Sequence, residues 1–306
     1  MVGAGRGRLP RLRELPGEDR PEDPHRPRRA EELTDGGPVV VVTGASDGIG
    51  AAAARRLHRG GARVVVVGRS AEKTAAVAGE LDGALGLTAD FAWLDDVRRL
   101  AAELRGRFPR IDVLADNAGA SFGRRALTVD GAEQTLQVDH LGPYLLTRLL
   151  EEPLRAARGR VVVTSSFAHW AGGARRGHVL EPRGPQVATR RYAHAKWCNV
   201  LFTRELARRW SPEVSATCFD PGAVATSFGR AGGVTGLAFR TPLTAFLRTP
   251  AQGADTLVWL ATADDGWRDG GHHADRSRAA TLPSARDDVR ARELWERSAA
   301  LVGLPA

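Results

Sequence analysis

The sequence predicts an α/β protein, a single doubly wound domain with a mostly parallel, seven-stranded sheet and helices on both faces. Short valine-rich runs alternate along the chain with longer helical segments, an order that is typical of parallel sheets. The runs are continuously apolar, as strands buried on both faces are. A glycine-rich turn joins the first run to the first helical segment, as it does in sheets that bind ligands at the carboxyl ends of their strands.

The elements follow in order from residue 37. Residues 1–36 hold five prolines among charges and no apolar periodicity, so we expect a disordered extension before a domain that covers 37–306. Short β-branched runs predict strands at 39–42, 63–67, 85–89, 111–115, 161–164 and 214–219, with a seventh late in the chain. Longer segments of helix-forming residues predict helices at 51–59, 95–108, 141–156, 193–210, 252–261 and 288–301.

The composition of the 306 residues, 42% hydrophobic and 26% charged, indicates a folded protein with a sizeable core. The net charge is +8, but 42 of the 44 basic residues are arginines and no basic stripe alternates with aromatic residues, so no nucleic-acid partner is expected. We also expect no membrane span and no secretory signal. With only two cysteines, a reducing cytoplasm is the expected location.

The turn after the first strand reads Thr43-Gly44-Ala45-Ser46-Asp47-Gly48-Ile49-Gly50. Its glycines let the backbone turn tightly and approach a pyrophosphate, which the N–H groups at the start of the following helix can bind. The spacing of the glycines is G-x-x-x-G-x-G and not the common G-x-G-x-x-G. The turn therefore predicts a dinucleotide site, and its glycine spacing disfavours a relative of the nucleotide-sugar epimerases.

Four motifs in order resemble those of the short-chain dehydrogenase/reductase family: the turn above, Asp116-Asn117-Ala118-Gly119, Tyr192-x-x-x-Lys196, and Pro221-Gly222. The similarity covers about residues 38–302. The segments LQVDHLGPYLLTRLL and YAHAKWCNVLFTRELARR resemble the retinol-dehydrogenase-like branch. The resemblance implies a Rossmann fold and an oxidoreductase that interconverts an alcohol and a carbonyl on a small molecule. The apolar residues of 227–250 indicate that this molecule is lipophilic.

The end of the second strand favours one nicotinamide cofactor. NAD-binding sheets usually place an acid there, to bind the ribose 2′-hydroxyl. This strand ends Val67-Gly68-Arg69-Ser70, and Lys73 follows. A guanidinium can pair with a 2′-phosphate, so we expect NADP(H) rather than NAD(H), although a solvated surface arginine is the alternative for Arg69.

The expected reacting groups are Ser166, Tyr192 and Lys196. Tyr192 and Lys196 are four residues apart on one helix and share a face, and a nearby ammonium lowers the pKa of a phenol. Tyr192 is thus the candidate acid/base. The resemblance assigns the substrate oxygen to Ser166, while Ser165 faces elsewhere. It also implies a water-linked proton path through the backbone at Asp139, where the family usually has asparagine, so Asp139 adds a carboxylate near Lys196.

The remaining expectations follow from the resemblance. Asp90 resembles the residue that binds the adenine amino group, although it could equally cap a helix, and the segment after the sixth strand resembles the one that closes over the nicotinamide. The full expected cofactor set is Gly44, Ser46, Asp47, Gly48, Ile49, Gly50, Arg69, Asp90, Asn117, Tyr192, Lys196, Pro221, Gly222, Val224 and Thr226. Residues 227–250 are expected to form an apolar flap over the substrate or to pack on the body or a partner subunit, and 172–191 to rim the pocket.

Two further points remain open from the sequence. A dinucleotide-binding redox sensor without turnover is the alternative function; Asp139 favours it, and retention of Ser166, Tyr192 and Lys196 argues against it. Self-association into a homo-oligomer is also open. His194 is expected not to be catalytic, because it lies two residues from both Tyr192 and Lys196 and points off their face. His272 and His273 are expected not to bind a metal, because no third ligand accompanies them.

Overall fold

Eight strands form one sheet in the part of the chain that the structure describes, residues 37–224 and 247–306. The structure is a computed structural model. The strands are β1 (Val39–Thr43), β2 (Arg63–Gly68), β3 (Leu85–Thr88), β4 (Val113–Asp116), β5 (Arg160–Thr164), β6 (Ser215–Phe219), β7 (His272–Ala274) and β8 (Ser277–Arg278). Their spatial order is β3-β2-β1-β4-β5-β6-β7-β8. The extension at 1–36 and residues 227–246 of the expected flap lie outside the described residues.

Helices cover both faces of this sheet. They are α1 (Gly48–Arg59), α2 (Ala71–Gly79), α3 (Leu94–Arg107), α4 (Gln134–Leu136), α5 (Gly142–Leu149), α6 (Glu151–Ala157), α7 (Ala188–Trp210), α8 (Pro250–Gly253), α9 (Asp255–Thr262) and α10 (Asp288–Leu301). A single π-helical turn, Gln137–Leu141, joins α4 to α5. The predicted α/β fold with a mostly parallel sheet is confirmed, because β1 to β7 all pair in parallel.

The valines of β1 show why its sequence is continuously apolar. Val39 and Val41 belong to the core on the face covered by α3, α5, α7 and α10. Val40 and Val42 belong to the core on the opposite face, under α1, α2 and α9. Since each fully buried valine contributes about 1.5–3 kcal/mol, a polar residue on either side of β1 would be costly.

The predicted count of seven strands was one too few. β8 pairs antiparallel with β7 through a tight turn at Asp275 and Arg276, whose φ angles are 50° and 57°. Two residues are too short for a periodic pattern to show. The helix at Ala71–Gly79 was also not predicted; Ser70 caps it by accepting a hydrogen bond from the Lys73 N–H.

The sheet order places a crevice at the carboxyl ends of β1 and β4, because the chain leaves β1 toward β2 on one side and later returns to β4 on the other. Such a reversal point is where open α/β sheets bind their ligands. No helix in the two described ranges is both long and apolar enough to cross a membrane.

Candidate active site

The turn between β1 and α1 is shaped by its glycines. Gly44 and Gly48 have φ angles of +64° and +56°, a region that favours glycine. At Gly50 a Cβ atom would lie 2.4 Å from the Gly44 carbonyl oxygen and 2.6 Å from Nδ2 of Asn117. The turn thus packs directly against the residues that follow β4. Asp47 caps α1 by accepting a hydrogen bond from the Gly48 N–H at 2.7 Å, and the first turn of the helix has no further acidic side chain. The other N–H groups of that turn can bind an anion.

Asn117 holds this turn from inside the protein. Its Nδ2 donates to the Thr43 carbonyl at 2.9 Å, and its N–H donates to the Thr43 hydroxyl at 3.0 Å. The bonds tie the end of β4 to the end of β1. The preceding Asp116 is fully buried, and its burial raises the pKa of its carboxyl to about 7, while a hydrogen bond from Thr147 acts in the opposite direction.

Basic side chains gather where β2 ends. A Cβ at Gly68 would lie 2.6 Å from the Ser46 Cβ, so Ser46 of the turn rests against the last residue of β2. Lys73 reaches the turn through a 3.4 Å ion pair with Asp47. Arg69 is exposed, and its guanidinium makes no ion pair or hydrogen bond within 37–224 and 247–306. The region can accept a further anion.

The other predicted cofactor residues lie around the same crevice. Ile49 and Val224 meet at Gly253, where a Cβ would lie 3.1 Å and 2.6 Å from them. Gly222 has a φ of +77°, and the Pro221 carbonyl accepts a 3.5 Å bond from Arg248. Asp90 already accepts a hydrogen bond from the Ala92 N–H at 3.0 Å. Thr226 lies outside the described residues.

Ser166, Tyr192 and Lys196 come together beyond the end of β5. The Tyr192 and Ser166 side chains are hydrogen-bonded, and the Lys196 ammonium lies 5.5 Å from the centre of the Tyr192 ring. Lys196 also donates to the Thr164 carbonyl at 3.3 Å. Ser165 faces elsewhere, as expected: its hydroxyl donates to the Lys196 carbonyl at 3.1 Å. The three residues expected to react are therefore neighbours.

The ionisation of Tyr192 differs from the expectation. Burial raises the pKa of Tyr192, and the negative charge of Asp139 raises it further, while the hydrogen bond with Ser166 lowers it. We expected the nearby ammonium of Lys196 to lower this pKa. The groups that surround the phenol instead favour its protonated form.

Asp139 and Lys196 form a buried ion pair. Their closest oxygen and nitrogen atoms are 3.4 Å apart, and both side chains are at most 3% exposed. Oδ1 of Asp139 also accepts a hydrogen bond from the Ala120 N–H at 2.6 Å. Burial raises the pKa of Asp139, and Lys196 and the Ala120 N–H oppose that effect. Glycine at residue 119 leaves room for the pair, because a Cβ there would lie 3.1 Å from the Lys196 Nζ and would crowd it.

Asn199, which was not predicted from the sequence, holds the backbone at Asp139. Its Nδ2 donates to the Asp139 carbonyl at 3.0 Å and to the Thr164 carbonyl at 3.2 Å. Its Oδ1 lies 3.2 Å from Nδ1 of His140, a ring whose pKa burial lowers to about 3. Asp139 and His140 lie in the π-helical turn, a feature often found at functional sites. Asn199 follows Tyr192 by seven residues and Lys196 by three, so helical spacing could have found it.

Arg191 was also missed. Its guanidinium is buried and forms a 3.1 Å ion pair with Glu133, and it donates to the Phe122 carbonyl at 2.7 Å. These contacts fasten the residue before Tyr192 to the loop after β4. No local sequence pattern predicts this ion pair, because Glu133 and Arg191 belong to distant parts of the chain.

The histidines and the inserted loop have structural contacts. His194 stacks on Trp197 with ring centres 5.5 Å apart. In the loop, the N–H groups of Gly177 and Val179 both donate to Glu293 of α10 at 3.2 Å. The segment 172–191 is therefore anchored to the C-terminal helix, and its expected place at the pocket rim stays a prediction.

This combination of a doubly wound sheet, a glycine turn at the reversal point and a Ser-Tyr-Lys cluster defines a dinucleotide-binding oxidoreductase. The family model for short chain dehydrogenases matches residues 38–232, and the chain belongs to the short-chain dehydrogenase/reductase family. Within the family it lies in the retinol-dehydrogenase-like branch, so it is an enzyme of the alcohol/carbonyl oxidoreductase type.

Three relatives illustrate this placement. A Streptomyces sp. (strain C5) protein named as a daunorubicin C-13 ketoreductase is 44% identical, over 87% of this chain and 93% of its own. Retinol dehydrogenase 14 of Mus musculus is 36% identical, over 88% and 86%. An Escherichia coli CFT073 structure titled as a short chain dehydrogenase with NADPH is 26% identical, with a TM-score of 0.62 over 80% and 98%.

Proposed function

We propose that the protein is an NADP(H)-dependent reductase that converts a carbonyl to an alcohol, with Tyr192 as the proton donor. The observation that carries the proposal is the hydrogen-bonded pair of Ser166 and Tyr192 hydroxyls, with Lys196 5.5 Å from the Tyr192 ring. A carbonyl oxygen placed between the two hydroxyls would accept a hydrogen bond from each. Ser166 then orients the oxygen, and Tyr192 transfers a proton to it.

The charges around Tyr192 support reduction. Burial and Asp139 raise the pKa of Tyr192, so the phenol carries its proton at neutral pH. Reduction needs that protonated form, whereas alcohol oxidation needs the phenolate. Asn199 holds the Asp139 backbone carbonyl through a 3.0 Å hydrogen bond. This carbonyl oxygen could accept a hydrogen bond from a water that carries protons to or from Lys196.

The residues present fit a nicotinamide dinucleotide. The glycine turn and the N–H groups at the start of α1 would hold the pyrophosphate. Arg69, Lys73 and Ser46 lie together at the end of β2, which supports a 2′-phosphate and hence NADP(H) over NAD(H). The bound cofactor would supply the hydride.

We infer a bulky, largely apolar substrate. Phe167 directly follows Ser166, and Trp170 lies four residues after it; the two side chains are 70% and 40% exposed, with ring centres 6.4 Å apart. The names of the two relatives point to daunorubicin and retinol, which both have an extended conjugated carbon skeleton. Both cysteines are buried free thiols, which supports the expected location in a reducing cytoplasm.

Replacing Tyr192 with phenylalanine tests the proposal. The change removes one oxygen and leaves the ring, so turnover of a bulky aromatic ketone should fall by about 10²–10⁴ while NADPH affinity stays within a few-fold. The matched control is Tyr144→Phe, which removes the hydroxyl that donates to the Trp295 carbonyl at 3.1 Å; its turnover should change little. A Tyr192→Phe enzyme as fast as the original would overturn the assignment of the proton donor.

A further inference from the structure

A second concave site lies beside the edge of the sheet, on the face covered by α7. It is a surface pocket of about 630 Å³ between the second half of α7, the loop before β7 and the segment before α10. None of its lining residues belongs to the catalytic or cofactor set. Its size lies within the range of small-molecule sites.

The pocket carries a strong positive charge. Five arginines and two aspartates line it, a net formal charge of +3 with histidine neutral; the arginines are Arg204, Arg208, Arg268, Arg278 and Arg286. Arg204 pairs with Asp288 at 2.8 Å, and Arg208 pairs with Glu205 at 2.5 Å. The guanidiniums of the other three have no acidic partner among the described residues.

Buried donors of the same pocket also lack partners. Nε of Arg204 is buried without an acceptor, and neither ring nitrogen of His272 has a well-formed hydrogen bond. His272 is 6% exposed, and the backbone of Ala280 gives its ring only a weak interaction. Because His272 pairs with Cys218 in the sheet, its side chain lies on the α7 face, the face of the pocket. Buried groups of this kind call for a water, an ion or a ligand.

We propose that this pocket binds the phosphate or pyrophosphate group of a small molecule. Three unpaired guanidiniums and the buried Arg204 and His272 nitrogens are donors suited to a group with several negatively charged oxygens. Residue 271 has no room for a side chain, because a Cβ there would lie 2.6 Å from the Arg268 carbonyl oxygen. The pocket wall beside Arg268 is therefore formed by backbone. The volume exceeds that of one phosphate, so a ligand with a further organic part also fits.

The pocket also adjoins the reacting centre. The His272 ring contacts the His169 ring with centres 5.0 Å apart, and Nδ1 of His169 lies 2.7 Å from the Ser166 carbonyl. A ligand bound at His272 is therefore two side chains from the backbone of Ser166. Occupancy should change kcat/KM for the carbonyl substrate, because a shift of His169 moves Ser166.

The test is calorimetric titration of the full chain with inorganic pyrophosphate, in the presence of saturating NADP+ so that the cofactor site cannot take up the probe. We expect saturable one-to-one binding that weakens at least tenfold in the double variant Arg268→Gln/Arg278→Gln. The control is Arg59→Gln/Arg292→Gln, two exposed arginines outside the pocket, which should bind as the original protein does. Absence of saturable binding, or equal weakening in both double variants, would overturn the site.

Two further measurements complete the test. His272→Phe keeps a buried ring but removes both nitrogens, so it should weaken pyrophosphate binding while the melting temperature stays near the original value. Pyrophosphate binding without any change in kcat/KM would overturn the link to Ser166. A separate NADP+ titration shows whether the proposed cofactor binds at all, so failure of the proposed function is distinguishable from failure of this site.

Discussion

Replacing Asp139 with asparagine should make Tyr192 more acidic while the framework around it stays in place. Asparagine has the same shape, and its side-chain oxygen can still accept the hydrogen bond from the Ala120 N–H, now 2.6 Å long. The Asp139 backbone carbonyl remains held by Asn199 at 3.0 Å. What the substitution removes is one buried negative charge.

The size of the effect follows from two distances. The Lys196 Nζ lies 3.4 Å from Oδ2 of Asp139 and 5.5 Å from the centre of the Tyr192 ring, so carboxylate and ring are at most about 9 Å apart. At an effective dielectric constant of about 20, two charges at that separation interact by roughly 1.8 kcal/mol. Since about 1.36 kcal/mol corresponds to one pKa unit, the pKa of Tyr192 should fall by just over one. The sign is downward, because a negative charge disfavours the phenolate.

The assay is the pH dependence of kcat/KM for NADP+-dependent alcohol oxidation, in which the phenolate is the base. The limb that reports Tyr192 should move about one unit toward lower pH in Asp139→Asn and stay in place in the surface control Glu103→Gln. An unmoved limb would refute the reasoning, because it would show that Asp139 is already neutral. Loss of the pair also leaves Lys196 buried without its anion, which costs up to about 3–5 kcal/mol of unfolding free energy, so chemical denaturation should accompany the kinetics.

Three further substitutions test the site. Arg69→Asp should remove most of the preference for NADPH over NADH, about tenfold to a hundredfold from the loss of one charge-assisted phosphate contact; equal affinities of the original protein in fluorescence titration would contradict this. Asn199→Ala removes the donor to two carbonyls, 3.0 Å and 3.2 Å away, so the unfolding free energy in urea should fall by roughly 1–3 kcal/mol and kcat should fall with it. Gly119→Ala places a Cβ 3.1 Å from the Lys196 Nζ and should lower kcat, whereas Gly123→Ala, which meets nothing within 4 Å, should not; equal kcat values would show that the ion pair has room to move.

The fold could be predicted because most of its elements have a recognisable pattern of neighbouring residues. The valines of β1 and the glycines after it depend only on their neighbours in sequence and on burial of both sheet faces, so their pattern is readable. β8 was not predicted because it has only two residues and comes directly after a turn in which Asp275 and Arg276 have positive φ angles. Neither residue type indicates such a conformation by itself.

The parts of the site that depend on contacts between distant segments of the chain could not be predicted from the sequence. The placement of Ser166, Tyr192 and Lys196 followed from the resemblance, and Asn199 could have been added from its position on the same face of α7. The ion pair of Glu133 and Arg191 could not, because nothing in either segment specifies the other. The raised pKa of Tyr192 could not be predicted for a related reason, because it depends on burial and on the charge of Asp139, a residue far from Tyr192 in the sequence.

Asp139 affects both the stability of buried Lys196 and the protonation of Tyr192. A buried ammonium needs a partner, and the carboxylate 3.4 Å away supplies it. The same carboxylate raises the pKa of Tyr192, so the groups that stabilise Lys196 inside the protein also keep the proton on the phenol. A neutral asparagine would leave more of the positive charge of Lys196 to act on Tyr192. Aspartate at this position therefore favours the acid form that carbonyl reduction uses, and it does so through the residue that also holds Lys196 in place.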